Sequence, residues 1–254
     1  MWQISIIGAG NVAWVFGERL KAKGHVIREV MNRDPKRGNT LASALGARYL
    51  TDQDRMDGKS DLYLIAVKDG AIAEAADLIP ANESLVVHFS GSTSIQVIPQ
   101  KNRAVLWPLR SIAKGSDMDW SSMNVIMESD SDLSAVKAMD LIQELGAKAV
   151  HLNHSKRKQA HLIAVILNNF SNHLLHIGDV LCEEQGLDRA IFKDLLTSAL
   201  LPQGPAMERQ TGPASRGDLE VIKKQEEMLA SHPEFQSIYR SITASIIKSY
   251  EHEL

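Results

Sequence analysis

Short, continuously apolar runs alternate with helix-patterned stretches over the first 110 residues. The runs at 3–7, 26–31, 62–67, 85–89 and 104–107 lack the every-other-residue polarity of a half-exposed strand. They therefore predict parallel strands covered on both faces. Amphipathic stretches at 12–22, 36–45, 71–78 and 93–98 fall between them. Strand and helix in alternation predict βαβ units in an open, mostly parallel sheet. A further strand at 125–127, a helix at 133–145 and a short strand at 148–150 extend that pattern.

Past His151 the periodicity changes. One helical stretch runs from 155 to 185, with no proline and no glycine before Gly178. Asp188 caps a second helix, expected at 188–201 and stopped by Pro202. A Pro/Gly-rich passage at 202–217 precedes helices expected at 218–229 and 233–250, and no strand pattern follows residue 152. The fold class is α/β: a Rossmann domain with a mostly parallel sheet over residues 1–152, then an all-α domain over 153–254. No internal repeat or low-complexity segment is present.

The first strand leads into Gly8-Ala9-Gly10-Asn11-Val12-Ala13, a G-x-G-x-x-A between strand and helix. Gly8 suits the tight turn, Gly10 lets the backbone approach a pyrophosphate, and Ala13 permits close helix–strand packing. The amides opening the next helix would face the phosphates. The second strand ends in Asn32-Arg33-Asp34, where a site for NAD commonly offers an acidic side chain to the ribose. The Arg33 guanidinium can pair with a 2′-phosphate, and neutral Asn32 adds no repulsion. NADP(H) is the expected cofactor, with Asp34 keeping NAD open. Later strand ends should border it too, placing Ala66, Val67, Lys68, Ser90 and Gly91 at the site. His88 is read as a structural residue within its strand.

The 155–185 helix carries His161, Asn168, Asn169, Asn172, His173 and His176, a polar stripe among apolar neighbours. Such a stripe on a buried helix needs partners: another subunit, water or a substrate. A satisfied seam between helices competes with a catalytic role. Metal binding is not expected, because no carboxylate or cysteine joins these histidines at ligand spacing. Arg216 lies in a Gly/Pro-rich turn, where it could hold a substrate carboxylate or form a structural ion pair. Asp218 reads as a helix cap.

Several of these segments together resemble a known family. They are residues 8–13, Ala66-Val67-Lys68-Asp69, His88-Phe89-Ser90-Gly91-Ser92, Trp107-Pro108-Leu109, the 161–173 stretch and residues 211–218. The chain resembles proteins that join a Rossmann-like domain to the domain of unknown function 2520, described as NADP oxidoreductases. The resemblance covers nearly the whole chain and implies a helical second domain and a homodimer formed through it. It also implies a fold like those of pyrroline-5-carboxylate reductase and ketopantoate reductase. Ketopantoate reductases carry a catalytic lysine on the first long helix of the helical domain, followed by asparagines on the same face. His161 stands in a similar place and Asn169 matches one asparagine, while Val165 departs from the pattern. Carried over, the resemblance makes His161 the general acid and Asn169 the group that orients substrate or holds the histidine.

Composition narrows the reading further. The chain has 254 residues, 44% of them hydrophobic and 23% charged, which is ordinary for a globular protein. A formal net charge of −3 offers no basic field for nucleic acid. The single cysteine, Cys182, forms no internal disulfide and fits a reducing compartment. The first apolar run is far shorter than the ~20 residues of a membrane span and lacks the basic start of a secretion signal. The expectation is a cytoplasmic NADP(H)-dependent oxidoreductase that reduces a C=O or C=N of a small anionic metabolite. The alternative is a non-catalytic NADP-binding regulatory or dimerisation protein.

Overall fold

The sheet of the first unit owes its character to residues that alternate between two apolar faces. In β1 (Gln3–Ile7), Ile4 and Ile6 join one core and Ile7 the other. In β4 (Leu62–Ile65), Leu62 and Leu64 face the first core while Tyr63 and Ile65 face the second. In β5 (Leu85–His88), Leu85 and Val87 face the first core and Val86 the second. Both faces are covered, so the strands read as unbroken apolar runs.

A computed structural model describes residues 1–116, 118–200 and 204–250. The chain forms two compact units, Met1–Asn168 and Asn169–Leu254. With β2 (Val26–Met31), β3 (Arg48–Leu50), β6 (Arg103–Pro108), β7 (Asn124–Ser129) and β8 (Lys148–His151), the first unit holds one eight-stranded sheet. Its order is β3-β2-β1-β4-β5-β6-β7-β8. The first six strands are parallel, in the 3-2-1-4-5-6 order of a Rossmann fold. β7 runs antiparallel to β6, with Trp107 opposite Ile126, and β8 returns parallel to β7. The α/β class and the mostly parallel sheet expected from the pattern are what the structure has.

Helices α1 (Asn11–Ala22), α2 (Pro35–Leu45) and α4 (Asp132–Leu145) supply buried residues to the first core, among them Phe16, Leu41 and Leu141. The Phe16 ring lies 4.6 Å from Phe89 and 5.3 Å from Trp120, between centroids. The short α3 (Ile72–Asp77) covers part of the other face. Local chemistry sets the helix ends. Asp34 accepts the Arg37 amide at the start of α2, Pro35 opens that helix, and Gly46 closes it in a left-handed conformation. Ser131 caps α4 and Asn153 caps α5 (His154–Ala164) in the same way.

Several expectations needed correction. The strand Arg48–Leu50 was missed, being only three residues long at the sheet edge. The helix expected at 93–98 is only a 3₁₀ turn, Ile95–Val97, capped by Ser94. The long helix is not uniform: a π-helical segment, Val165–Phe170, separates α5 from α6 (Ser171–Glu184). The start of the next expected helix is a 3₁₀ turn, Arg189–Phe192, capped by Asp188, before α7 (Lys193–Leu200). Leu201 and Pro202, read as its end, lie outside the described residues.

The second unit continues with α8 (Leu219–Met228) and α9 (Pro233–Tyr250), and its described residues contain no strand. Few of its side chains are buried. They include Ile222, Phe235 and Tyr250, and α6 has none. Phe235 stacks on His232, whose Nε2 lies 2.9 Å from Glu184.

Candidate functional site

The glycine turn sits where β1 meets α1, between the carboxyl ends of β2 and β4. The ladder continues past the strands: the Gly8 amide donates to Met31 O at 2.8 Å and the Ala66 amide to Ile7 O at 2.7 Å. This leaves no volume at Gly8. A Cβ there would lie 2.2 Å from Ala66 O, and its φ of +112° is one that side-chain-bearing residues rarely adopt. Gly10 differs. It is the N-cap of α1 in extended conformation with no side-chain cap, and a Cβ there would meet nothing within 4 Å. Gly8 is thus required by the fold, whereas Gly10 fronts open space before uncapped amides. That cradle fits a pyrophosphate. Ala9 and Ala13 are buried, Val12 packs on the core, and the Asn11 side chain donates to Ile112 O at 3.1 Å.

A cleft beside the turn is lined by residues that include Gly8, Asn32, Arg33, Val67 and Glu74. Arg33 is exposed and forms a loose ion pair with Glu74 at 3.8 Å. Such a contact is worth little in water and leaves the guanidinium available. Asn32 turns its amide onto Asp34 O at 2.9 Å. Asp34 itself is spent as the cap of α2, so the acidic group that kept NAD open has a structural role.

At the next two strand ends a polar cluster forms. The Asp69 carboxylate, one residue beyond exposed Lys68, accepts hydrogen bonds from Ser90 Oγ at 2.7 Å and Ser92 Oγ at 2.6 Å. Ser90 Oγ in turn accepts the Ser92 and Thr93 amides. Burial pushes the Asp69 carboxyl up, but bonds from Ser92, Ser90 and Thr93, together with the nearby His161, outweigh it. The carboxyl is held below its usual range. His161, on α5, is half-buried and lies against Gly91: a Cβ on that glycine would come within 2.4 Å of His161 Cδ2 and 2.8 Å of Trp107 Cε2. The His161 and Trp107 rings are 5.4 Å apart.

Behind this cluster, His88 is fully buried and its Nδ1 accepts the Ser90 amide at 3.1 Å, as expected of a structural histidine. Burial, and after it the charge of Arg157, pushes its pKa down to about 4. Arg157 is itself fully buried and bonds to Glu128, Ser90 O and Thr93 O.

The first unit therefore brings together His161, Ser90 and Gly91, with the glycine turn, Ala66, Val67 and Lys68 on the same edge of the sheet. Asn169 and Arg216 belong to the second unit, where both are exposed. Asp218 caps α8 by accepting the Val221 amide. Among the described residues no group of three His, Cys, Asp or Glu is placed to hold a metal ion. Sequence reasoning missed Asp69, Trp107, Glu128 and Arg157 as parts of the site. Asp69 and Trp107 stand in motifs that could have signalled them. Arg157, between Lys156 and Lys158, reads as part of a solvated basic run.

Residues 123–246 match the model for the domain of unknown function 2520, and residues 3–90 match a model described as NADP oxidoreductase, coenzyme F420-dependent. Each match covers less than half of the chain, and side by side they give the two-domain order of proteins that join these domains. NADP(H) is the cofactor that the N-terminal match assigns. A solved structure described as a putative NADP oxidoreductase of Bacteroides fragilis is 29% identical, with 97% of this chain and 98% of that one covered and a TM-score of 0.89. Protein TM1727 of Thermotoga maritima is 21% identical over 98% and 99% of the two chains, with a TM-score of 0.66. The 1-pyrroline-5-carboxylate reductase of Streptococcus pyogenes is 14% identical over 97% and 98%, with a TM-score of 0.56. These last two show a shared fold alone. No curated protein sequence matches.

Two predictions follow from this geometry. Gly10→Val should keep the melting temperature of the native chain while weakening NADPH binding more than about tenfold by calorimetry. Gly8→Ala should instead lower the melting temperature, because Ala66 O occupies the space. Retained binding in folded Gly10→Val would make that glycine a mere turn.

His88 predicts a pH dependence. Its folded pKa of about 4 lies below the ordinary 6.5, so the unfolded chain takes the proton first. The stability it contributes is complete above pH 6.5 and is lost as pH falls toward 4, by about 3 kcal/mol at most. His88→Asn should flatten this limb in denaturant unfolding measured across that range. An unchanged slope would assign the loss to other groups.

Proposed function

We propose that this chain is an NADP(H)-dependent oxidoreductase that reduces a C=O or C=N of a small anionic metabolite, with His161 as proton donor. The observation that carries the reading is the His161 ring lying against Gly91, on the loop that leaves β5 at the cofactor edge of the sheet. NADPH, once bound, supplies the hydride. The chain's own residues then hold the pyrophosphate at Gly10, the 2′-phosphate at Arg33 and the nicotinamide end along Ala66, Val67, Lys68, Ser90 and Gly91. His161 delivers the proton to the atom that gains charge. Asp69, held ionised by its hydroxyl partners, stands at the same strand end as His161's loop contact.

The reading includes a cytoplasmic homodimer. In the first unit Leu162, Ile163, Ile166 and Leu167 are each about half exposed or more, as are Phe170, Ile191 and Leu195 in the second. Apolar surface on this scale calls for a partner, and a second copy through the helical domain is the occupant we assign.

NADPH should bind at least about tenfold tighter than NADH, a difference of about 1.4 kcal/mol, and Arg33→Asp should erase or reverse it. Equal affinity of the native chain for the two, by calorimetry, contradicts the cofactor assignment.

His161→Ala should leave NADPH affinity nearly unchanged and cut turnover about 10²–10⁴-fold across a panel of oxo acids and imines. Full turnover by the variant would remove His161 from the chemistry. Loss of the dimer in sedimentation, with turnover tracking that loss, would make the histidine part of a structural seam.

A further inference from the structure

We propose that Arg157 is the positioning residue of this site: its buried guanidinium sets the loop Ser90–Thr93 against α5, and so fixes where His161 stands. The inference rests on the catalytic reading of His161, but its geometry stands alone. Arg157 and His161 are four residues apart on α5, one helical turn, and so share a face. Arg157 has no exposure at all, the largest side chain so buried among the described residues. An unpaired guanidinium in that position would be very costly, and here its donors are engaged.

The partners reveal the purpose. Nε donates to Glu128 Oε2 on β7 at 2.9 Å, Nη1 to Ser90 O at 2.7 Å and Nη2 to Thr93 O at 2.7 Å. His154 Nδ1, one turn earlier on the helix, is 3.2 Å from Nη2. The two carbonyls bracket Gly91 and Ser92. The same short loop is tied from its other side by Asp69, through the Ser90 and Ser92 hydroxyls. Gly91 is thus held by both its backbone neighbours and its flanking side chains. The His161 ring lies on it at a separation too small for one added carbon.

Such a clamp needs a planar fork. A guanidinium can reach a carboxylate and two divergent carbonyls at once, whereas a lysine ammonium is a single point with shorter reach. Glu128 balances the charge and aims the fork, since its side chain is mostly buried too. Loop and helix therefore shift together or not at all. The distance from His161 to whatever lies over the loop is set by Arg157 rather than by packing of the exposed face of α5.

The test compares Arg157→Lys with the native chain by NMR and kinetics. In the native chain the His161 ring protons should show contacts to the Gly91 Hα protons and the ring-current shift of Trp107. In Arg157→Lys both should be lost while the remaining spectrum stays native. NADPH affinity should stay within about threefold, and kcat should fall about a hundredfold, as expected when a reacting group is displaced by about 1 Å. If Arg157→Lys does not fold, the double variant Arg157→Met with Glu128→Met removes the pair without stranding a charge and is read the same way. A variant with a lower melting temperature but native His161 contacts and native kcat would overturn the proposal, leaving Arg157 a structural residue. Lost contacts with unchanged kcat would instead overturn the role of His161 in catalysis and keep the clamp as a feature of the fold.

Discussion

Everything at the candidate site depends on a sheet covered on both faces. Because β1, β4 and β5 send apolar side chains alternately into two cores, their flanks offer little room for polar chemistry. Polar groups collect instead where the strands end. There the backbone must turn, amides lose their ladder partners, and side chains reach out of the core. The glycine turn, the Lys68–Asp69 corner and the Ser90–Thr93 loop are three adjacent strand ends of this kind. Their adjacency comes from the order β2-β1-β4-β5, which brings segments from three regions of the chain to one edge.

Within that edge the glycines are not equivalent, and the differences separate fold from function. Gly8 is forced by a neighbouring carbonyl and by its backbone angle, so it would be needed whether or not a nucleotide ever bound. Gly10 meets no atom of the described residues within 4 Å of the place its Cβ would take, so the space before the α1 amides is left open. Gly91 lies between these cases: the volume its Cβ would take is used by two rings of the same chain, His161 and Trp107. A G-x-G-x-x-A pattern marks the first two together. Only the space around each one assigns it a role.

The sequence made the sheet legible because burial on both faces leaves a simple signature. The bounds of β1, β2 and α9 agree with those expected, and the strand ends that border the cofactor follow from them. Arg48–Leu50 escaped because an edge strand of three residues, with an arginine and a tyrosine, carries no apolar run. The antiparallel β7 was found as a strand, though nothing in its sequence states its direction. Arg157 was illegible for a different reason. A charge flanked by two lysines is nearly always solvated, and here the Glu128 carboxylate and the carbonyls of a loop more than 60 residues distant take up the buried donors.

The π-helical segment limits one more argument from spacing. Eight residues from His161 to Asn169 bring the two side chains to similar sides only on a uniform α-helix. Val165–Phe170 takes more residues per turn, so the phase reckoned at 3.6 residues per turn does not carry across it. The pairing of Arg157 with His161 has no such weakness, since both lie on α5 before the π segment begins. Helical phase is thus a sound guide to the groups that surround His161 from its own helix on the N-terminal side. That side is also the one on which the buried guanidinium holds the helix to the loop. A π turn widens the helix locally and loosens its register, and here it begins one residue after α5 ends. The half of the helix that carries His161 is therefore tied to the sheet by Arg157.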